Sequence, residues 1–433
     1  MSASAPSPTP PDNSGGPMSA GDSPSMHSVA LAESAAPGVI SLEIPPSRGY
    51  WLLTWQQFRK RRDAYAALYV LGLLFFIALA APLISSRLPW YVHTPAGTFF
   101  PLLRDFFSPL SQLDRFYNCV LMTLLILAAV AGIAKLGKSD ALTLSRNAYR
   151  PALGILVVLF VISLLVGGRN DETDYRALGE IPGNTVVLTI VPWGGLELDI
   201  STNSRGPDSA HKLGCDTDGH DVLARLIHGA RISLAVGFLA TGLAVFIGII
   251  FGSLSGYFGG WVDVVAQRII EIFICFPSFF LILTIIAIVP QRSIFWVMFA
   301  IGLTGWMGIA RLIRGEVLKV RQLEYIAAAK ALGVSDTRII FRHIMPNALA
   351  PVLVAATFGV AGAILSETGL GFLGLGVEPP TPSWGELLNQ ARQDPVRLWW
   401  LMLYPGFMIF LSVTLMNLVG EGLRDAMDPK LRK

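Results

Sequence analysis

The sequence predicts an all-α protein that crosses a membrane several times. Of its 433 residues, 53% are hydrophobic and 15% are charged, whereas a soluble domain has about 25% charged residues. Apolar runs long enough to cross the hydrocarbon core, about 20 residues each, recur along the chain. We count about eight such spans, and they follow a polar N-terminal tail.

The N-terminal tail, residues 1–48, is dominated by Ser, Pro, Ala and Gly. Such a composition cannot bury enough apolar surface to offset the entropy of ordering, so we expect a disordered tail. It also lacks a basic start followed by an apolar run, and so does not resemble a secretory signal. The basic cluster Arg59-Lys60-Arg61-Arg62 precedes the first span, which predicts that the tail is cytoplasmic.

Three apolar runs occupy the first half of the chain. Residues 49–84 contain the first span, Ala66–Ile84, and a polar, aromatic outer loop follows at residues 85–116. Residues 117–166 contain two further runs, Tyr117–Ala134 and Pro151–Val166, which predict a transmembrane hairpin. Four basic residues separate these two runs: Lys135, Lys138, Arg146 and Arg150. By the positive-inside rule, the loop of the hairpin is cytoplasmic.

Residues 167–230 form the longest polar segment after the tail, and we place them outside. Thr185–Val191 is rich in β-branched residues and predicts a short strand. Asp221 is suited to cap a helix at Val222–His228, which would lie at the outer surface and feed the next span.

The same segment contains side chains of the types that bind metals. They are His211, Cys215, Asp216, Asp218, His220 and His228. Their spacing matches no standard zinc pattern. A calcium loop has its glycine at the sixth position, whereas Gly219 is fourth counted from Asp216. We therefore expect capping and turn roles, and no metal.

Five apolar runs follow in residues 231–433: Ile232–Leu254, Ile269–Val289, Ile294–Ala310, Ala348–Leu365 and Trp399–Gly420. Pro277 interrupts the second of them and can kink its helix. We leave open whether this helix gates or lines a pore or is an ordinary packed kink. Glu367 lies near the outer end of the fourth run, either as a functional group of the pore or as an interfacial carboxylate.

A polar, basic segment, Glu324–Asn347, joins two of these spans at one membrane surface. Its first part, Leu323–Leu332, is rich in helix formers, and Gly333 can end that helix in a left-handed conformation. Ser335 or Asp336 can cap a second short helix that runs to about Ile344. Pro346 then precedes the next span, where a first-turn proline is tolerated.

This segment resembles the cytoplasmic coupling loop of ABC importer permeases, in the dipeptide, oligopeptide and nickel branch. The resemblance is carried by Ala328-Ala329-Lys330-Ala331-Leu332-Gly333 and by Arg342-His343-Ile344-Met345-Pro346-Asn347. In that family the loop, residues 311–347 here, docks into a groove on a separate ATPase. The resemblance implies these ATPase-coupling residues: Glu324, Ala327, Ala328, Ala329, Gly333, Asp336, Arg342 and Pro346. The family's signature glutamate falls at Ala327, and the nearest glutamate is Glu324.

Two other stretches extend the resemblance, which covers roughly Lys212 to Pro429. Leu213–Ile227 is similar to the family's outer motif, GTDxxGRDVLSRL, in which Cys215, His220 and Ala224 are replacements. Its matching residues include Gly214, Asp216, Gly219, Asp221 and Arg225. Phe372–Gly376 and Pro379–Gly385 resemble the same branch and predict an outer re-entrant turn.

The resemblance implies a type I ABC importer transmembrane domain, in which the hairpin 117–166 is added to six family spans. It implies a multi-pass protein of the inner membrane with both termini in the cytoplasm. Its partners would be a second homologous permease, two ABC ATPases, an extracytoplasmic binding protein and membrane lipid. A net charge of +3 gives no indication of nucleic-acid binding.

The subunit itself is expected to be neither an enzyme nor a cofactor-binding protein, with ATP bound on its partners. Residues 132–139 fit the phosphate-loop pattern G-x-x-x-x-G-K-S, but they follow an apolar run rather than a strand of a nucleotide fold. We interpret the match as chance.

The implied cargo is a di- or oligopeptide, with nickel or another metal complex as the alternative for the same machinery. A proton-coupled secondary transporter is the alternative from another class. It would need ionisable residues in several spans and often has inverted repeats. The chain has few such residues in its apolar runs, and we find no repeat.

The hairpin topology can be tested by cysteine labelling of intact cells. We expect Ser139→Cys to resist a membrane-impermeant thiol reagent, because the loop is cytoplasmic, and Glu180→Cys in the outer segment to react. Labelling of Ser139→Cys from outside would contradict the hairpin.

Overall fold

The computed structural model describes residues 50–95, 97–106, 112–136, 149–165, 173–289 and 293–428. The predicted disordered tail, residues 1–48, lies outside the described residues, as do the loop of the hairpin and the phosphate-loop match beyond residue 136. Within the described residues the protein is mainly helical, with one small sheet.

Three helices open the described chain: α1 (Tyr50–Lys60), α2 (Arg62–Leu79) and α3 (Ala81–Ile84). The predicted first span, Ala66–Ile84, is therefore displaced, because α2 begins earlier and the helix breaks at Ala80. The break has a local cause in Pro82, which has no amide hydrogen to donate to the carbonyl of Ala78, four residues before it.

A three-stranded antiparallel sheet lies in the segments that we place outside. Its strands are β1 (Tyr91–Thr94), β2 (Gly97–Phe99) and β3 (Thr185–Val187), in the order β2-β1-β3. In the register, Tyr91 faces Val187. The predicted strand at Thr185–Val191 is confirmed in its first half only. Beyond Val187 the ladder ends, and the Thr189 hydroxyl instead donates to backbone carbonyls, with Oγ1 at 2.8 Å from Ser86 O. The short helices α4 (Pro101–Phe106) and α7 (Tyr175–Gly179) lie between β2 and β3 in the sequence.

Both runs of the predicted hairpin are helical. They form α5 (Gln112–Leu136) and α6 (Tyr149–Leu165), which pack against each other. The apolar part of α6 that the structure describes in detail, Gly154–Ser163, is shorter than a typical span. That the pair crosses the membrane stays a prediction.

Arg231 attaches the hairpin to the rest of the molecule. Its guanidinium is buried and donates to Asp114 Oδ1 at 2.8 Å and to Asn118 Oδ1 at 3.0 Å, both on α5. It also donates to the carbonyl oxygens of Ala78, at 2.7 Å, and Leu79, at 2.8 Å. The carbonyl that Pro82 leaves free is thus one that Arg231 binds, and a cation at a helix C-terminus is favourable.

The long helices of the second half are α8 (Val222–Phe258), α11 (Ile294–Arg321), α14 (Met345–Phe372) and α16 (Trp399–Met427). The predicted separate helix Val222–His228 is wrong as a separate element, because α8 runs through it for 37 residues. The change from polar to apolar sequence near residue 230 contains no proline. Its one glycine, Gly229, is compatible with a helix, since a single interior glycine costs only about 1 kcal/mol.

The span containing Pro277 is broken. Its two parts, α9 (Gly260–Cys275) and α10 (Ser278–Ile288), are bent by 85°. Pro277 stands at the N-cap of α10, where its fixed φ and missing amide are tolerated. Five helices in the described residues are long and apolar enough to cross a membrane, or six if the bent pair is one span. The predicted count of about eight is therefore met only in part.

Three glycines at every fourth position of α8 bring its backbone against α11. A Cβ atom on Gly248 would lie 2.7 Å from Ile309, one on Gly252 2.5 Å from Ala310 O, and one on Gly256 2.9 Å from Val317. Small residues at this spacing allow two helices to pack closely in lipid. The pair α8–α11 has the most extensive helix contact in the described residues.

This packing predicts a large difference between two glycines of the same helix. Gly252→Ala is expected to destabilise the protein by about 1–3 kcal/mol, because the added methyl overpacks the contact with α11. Gly242→Ala is the matched control, since within the described residues no atom outside the local helix backbone lies within 4 Å of its added methyl. Unfolding in detergent measures both, and equal stability of the two variants would contradict the close approach.

Candidate functional site

The first helix of the predicted coupling loop is present as α12 (Glu324–Ala331). Gly333 follows it with a φ of +75°, so the predicted left-handed end is confirmed. Gly333 N donates to Lys330 O and Val334 N to Ala329 O. These two bonds form a Schellman motif, which satisfies carbonyls that would otherwise be unpaired at the helix end.

The second part of the loop differs from the prediction. A short α-helix, α13 (Asp336–Arg338), passes into a π-helical stretch, Ile339–Ile344, and then directly into α14. The predicted end near Ile344 is therefore wrong, and one 37-residue helix runs from Asp336 to Phe372. In the π stretch Met345 N donates to Ile340 O, five residues back. This wider turn accommodates Pro346, which cannot donate to the carbonyl four residues before it.

The side-chain capping that we predicted at Ser335 or Asp336 does not form. Ser335 occupies the N-cap position of α13 with an extended backbone, but its side chain makes no capping hydrogen bond. The carboxylate of Asp336 instead accepts a 2.5 Å hydrogen bond from the hydroxyl of Tyr257, at the end of α8.

The segment from Leu323 to Asn347, which we call the coupling segment, has one buried and one exposed side. Its isoleucines 326, 339, 340 and 344 are buried in a cluster with Ile313 and Val317 of α11. On the other side Leu332 is 84% exposed and Phe341 is 68% exposed. Large exposed apolar side chains of this kind mark interaction surfaces when they occur together.

The residues assigned to ATPase coupling lie mainly on the exposed side. Exposed are Glu324, Ala327, Ala328, Gly333, Asp336, Arg342 and Pro346, and Ala329 is half-buried. Exposed basic side chains, those of Lys330, Arg338 and Arg342, lie among them. The structure thus brings these residues onto one segment, while their role in coupling stays a prediction.

The outer motif forms a buried polar network around Asp216. One oxygen of this fully buried carboxylate accepts from the backbone N–H groups of Asp218, Gly219 and His220, at 3.0, 2.9 and 2.8 Å. The other lies 2.9 Å from His220 Nδ1 and 3.3 Å from Arg225 Nε. Burial alone raises the pKa of the Asp216 carboxyl, but the His220 hydrogen bond and the Arg225 charge hold it below its usual value.

Arg225 extends this network to the far end of the chain. It is buried and donates from Nη2 to Glu386 Oε2 at 2.6 Å, on α15 (Trp384–Ala391). A buried arginine is tolerated because two carboxylates surround it. The contact ties the outer motif to the predicted re-entrant turn, whose Trp384 is also fully buried.

Asp221 caps α8 as predicted. Its Oδ1 accepts from Ala224 N at 2.8 Å, and its Oδ2 lies 2.9 Å from His211 Nδ1. Burial raises the pKa of this carboxyl, although both contacts oppose the change. Gly214 and Gly219 have φ of +80° and +100°, and a Cβ on Gly219 would lie 2.1 Å from Asp199 O. Both glycines are therefore required by the turn itself.

The potential metal ligands separate into different contacts. Among the described residues, only Asp216, Asp218 and His220 offer ligand atoms within 4.8 Å of one another. His211 faces Asp221, and His228 Nε2 lies 2.9 Å from Ser85 O on another element. Burial raises the pKa of the Cys215 thiol to about 11, which disfavours the thiolate that binds metals. The hydrogen bonds of Asp216 support the structural role that we expected.

Glu367 lies at the end of α14 that approaches α15, inside the protein. It is fully buried, and its Oε2 accepts from the hydroxyl of Ser233 on α8 at 3.1 Å. Its Oε1 makes no hydrogen bond within the described residues. Which of the two alternatives applies, a functional group of the pore or an interfacial carboxylate, stays a prediction.

Sequence reasoning missed three residues that organise these sites. Arg231 and Glu386 are single charges whose partners are far away in the sequence, so no local pattern indicates them. Tyr257 lies beyond the apolar run Ile232–Leu254, and nothing beside it in the sequence indicates its contact with Asp336. A charged residue beside an apolar run is the one available signal, since such charges are rarely buried without a partner.

The buried network predicts a sharp contrast between two neighbouring aspartates. Asp216→Ala is expected to lower the unfolding free energy by about 3–5 kcal/mol, because it removes a partner from a buried ion pair. Asp218→Ala, an exposed matched control, is expected to change it little. Thermal unfolding in detergent compares the two, and an equal effect would contradict the network.

The same carboxylate predicts a pH dependence. A carboxyl whose pKa is lower in the folded state contributes stability above its unfolded pKa, about 3.9. That contribution is lost as the pH falls through the folded-state pKa. Asp216→Ala should therefore lose less stability than the wild type on acidification below about pH 4.

Two family models match parts of this chain. The family model "Binding-protein-dependent transport system inner membrane component" matches residues 248–433. The model "N-terminal TM domain of oligopeptide transport permease C" matches residues 49–101. Neither match includes residues 102–247, which contain the hairpin helices and the outer motif.

Several relatives are permease proteins. A dipeptide transport system permease of Alkalihalophilus pseudofirmus is 43% identical over 236 residues, 54% of this chain and 77% of that protein. A glutathione transport system permease of Pectobacterium atrosepticum is 39% identical over 54% of this chain and 77% of its own. An oligopeptide transport system permease of Haemophilus influenzae is 39% identical over 57% of this chain and 81% of its own.

Among solved structures, an inward-facing methionine ABC transporter aligns with 46% of this chain and 96% of its own, with a TM-score of 0.37 and 18% identity. The class of the protein therefore rests on the sequence relatives, which are membrane permeases. This chain belongs to the family of binding-protein-dependent transport system inner membrane components. It is a multi-pass protein of the inner membrane.

Proposed function

We propose that this chain is one of two permease subunits of an ATP-driven importer for di- or oligopeptides. The observation that carries the proposal is the coupling segment, with one side packed on α11 and the other exposing Leu332 and Phe341. The relatives of this chain are named as permeases for dipeptides, oligopeptides and glutathione. These names support a peptide cargo over a nickel complex.

The exposed side of the coupling segment fits a groove on a separate ATPase. Leu332 follows the last turn of α12 and Phe341 lies in the π stretch, so both can act as apolar anchors. A few side chains in well-packed, fully desolvated pockets dominate the affinity of many interfaces. The basic Lys330, Arg338 and Arg342 favour an acidic groove, because complementary charges steer association.

The wider assembly follows from that docking site. A type I arrangement places a second homologous permease beside this one, two ATPases against the coupling segments and a binding protein on the outer side. The coupling segment and both termini are then cytoplasmic. We assign ATP and its hydrolysis to the ATPases and no cofactor to this subunit.

The long helix from Asp336 to Phe372 gives a mechanical route across the membrane. At about 1.5 Å per residue it is about 55 Å long, so one rigid element joins the coupling segment to Glu367 near its other end. A displacement of the ATPase would tilt this helix and its neighbours and change which side of the cavity is open. The broken pair α9–α10, with its 85° bend at Pro277, is the element that we assign to gating.

Two variants test the docking site. Gly333→Val forces a left-handed conformation on a β-branched residue, with a strain of about 1–2 kcal/mol. The strain is conformational alone, because no atom of the described chain apart from the adjoining residues lies within 4 Å of the added Cβ. Ala328→Glu adds volume and negative charge to the exposed side. Both variants are expected to insert normally and to weaken ATPase association or uncouple hydrolysis from import.

A pull-down of the ATPase, paired with transport in vesicles, separates these effects. Gly406→Ala in α16 serves as the control, since its added methyl also meets no atom within 4 Å in the part of the chain that the structure describes, the local helix backbone apart. If both coupling variants assemble and transport like this control, the segment is a connector and the proposal is wrong.

A further inference from the structure

The inner end of α8 turns sharply into α9. Gly259 and Gly260 follow Phe258 with φ of +66° and +51°. Two successive residues in this region favour glycine, because other residues are strained there. We call Tyr257–Asp263 the inner turn, and it connects the long helix α8 to the broken pair α9–α10.

A half-buried ion pair fixes one side of the inner turn. The carboxylate of Asp263 accepts from Arg314 Nε and Nη2 of α11, both at 2.6 Å. Such a bidentate pair is strong and geometrically specific. Because α8 also packs on α11 through its glycines, the inner turn belongs to a rigid α8–α11 unit.

The other side of the inner turn reaches the coupling segment. The ring of Tyr257 is 6% exposed and lies in the same apolar cluster as Ile339 and Ile340. Its hydroxyl donates to Asp336 Oδ1 at 2.5 Å. Asp336 is the first residue of the 37-residue helix. This bond is thus a polar contact between the start of the moving helix and the rigid unit.

We propose that Tyr257 and Asp336 form a link that makes the coupling segment and the inner turn move together. Tyr257 is then a positioning residue for coupling and takes no part in binding the ATPase. The inference rests on the proposed function, because it specifies how a push on the coupling segment reaches α9–α10. Hydrogen bonds to charged groups are worth more than neutral ones, which suits a contact that must survive displacement.

Deleting one oxygen atom, that of the Tyr257 hydroxyl, removes the hydrogen bond to Asp336. Tyr257→Phe keeps the ring in its cluster and deletes the hydroxyl. Tyr65→Phe is the matched control, because it also deletes a hydrogen-bonded tyrosine hydroxyl. That hydroxyl lies 2.9 Å from the hydroxyl of Tyr69, and both tyrosines are on α2, away from the coupling segment. Asp336→Ala deletes the acceptor, whereas Asp336→Asn keeps an acceptor oxygen and is expected to lose less coupling.

The transport experiment uses the full complex in vesicles, with radiolabelled trialanine as the probe. Tyr257→Phe is expected to bind the ATPase like the wild type and to hydrolyse about tenfold more ATP per peptide imported, a change that corresponds to ~1.4 kcal/mol. Asp336→Ala should lose at least as much coupling, and adding Tyr257→Phe to it should cause no further loss, because both changes remove one interaction. Unchanged coupling in Tyr257→Phe would overturn the link, and so would a loss of ATPase association.

A distance measurement tests the link without any cargo. Spin labels at Thr337→Cys and Val264→Cys, both exposed positions, report on the two linked elements once the exposed Cys275 is replaced by serine. In the full complex the label distance is expected to stay constant on addition of ATP and vanadate, and to shift in Tyr257→Phe.

A shift of equal size in both proteins would refute the link. Absence of ATPase binding by the wild type would instead refute the proposed function. The same labels can be measured in the permease alone, without an ATPase. There, the link would be refuted if the distribution of label distances in Tyr257→Phe were no broader than in the wild type.

Discussion

The close approach of α8 to α11 is the constraint on which the rest of the structure depends. Gly248, Gly252 and Gly256 leave no room for side chains between the two backbones. In lipid there is no hydrophobic driving force between helices, so van der Waals packing at small residues holds such pairs together. The two helices connect this unit to both candidate sites. The coupling segment packs on α11, and the outer motif leads directly into α8.

Polar contacts attach the other elements to this unit. Near one end of α8, Arg225 is paired with Glu386 of α15, and Arg231 binds α5 and the end of α2. At the other end, Asp263 is paired with Arg314, and Tyr257 with Asp336. Buried charges need such partners, because desolvation of an unpaired ion is unfavourable. The polar residues of the long helices therefore mark where separate elements are attached.

Much of this organisation could be predicted from local patterns. The helix end at Gly333 and the cap at Asp221 depend on residues next to each other in the chain, and both are observed. The break at Pro277 was predicted for the same reason, although its 85° bend was not. Among the boundaries that were wrong, those at residue 230 and near Ile344 share one cause. In each case a helix continues past a polar-to-apolar change or a proline, because packing and a π stretch accommodate it.

The remainder depends on contacts between distant residues, which a single sequence does not reveal. Arg231 lies 117 positions from Asp114, and Arg225 lies 161 from Glu386. The burial of Glu367 also depends on helices that are brought together only in the folded protein. The sequence placed Glu367 at the end of a span. It does not indicate that the carboxylate is buried and accepts a hydrogen bond from Ser233.

The central claim is that the exposed side of the coupling segment binds an ATPase. Its most direct test is a photo-crosslinking amino acid at Leu332 in the full complex in native membranes. Leu239, an exposed position of α8, provides the comparison. The account predicts a crosslink from position 332 to the ATPase subunit and none to it from position 239. A complex that contains the ATPase but gives no crosslink to it from position 332 would contradict the account.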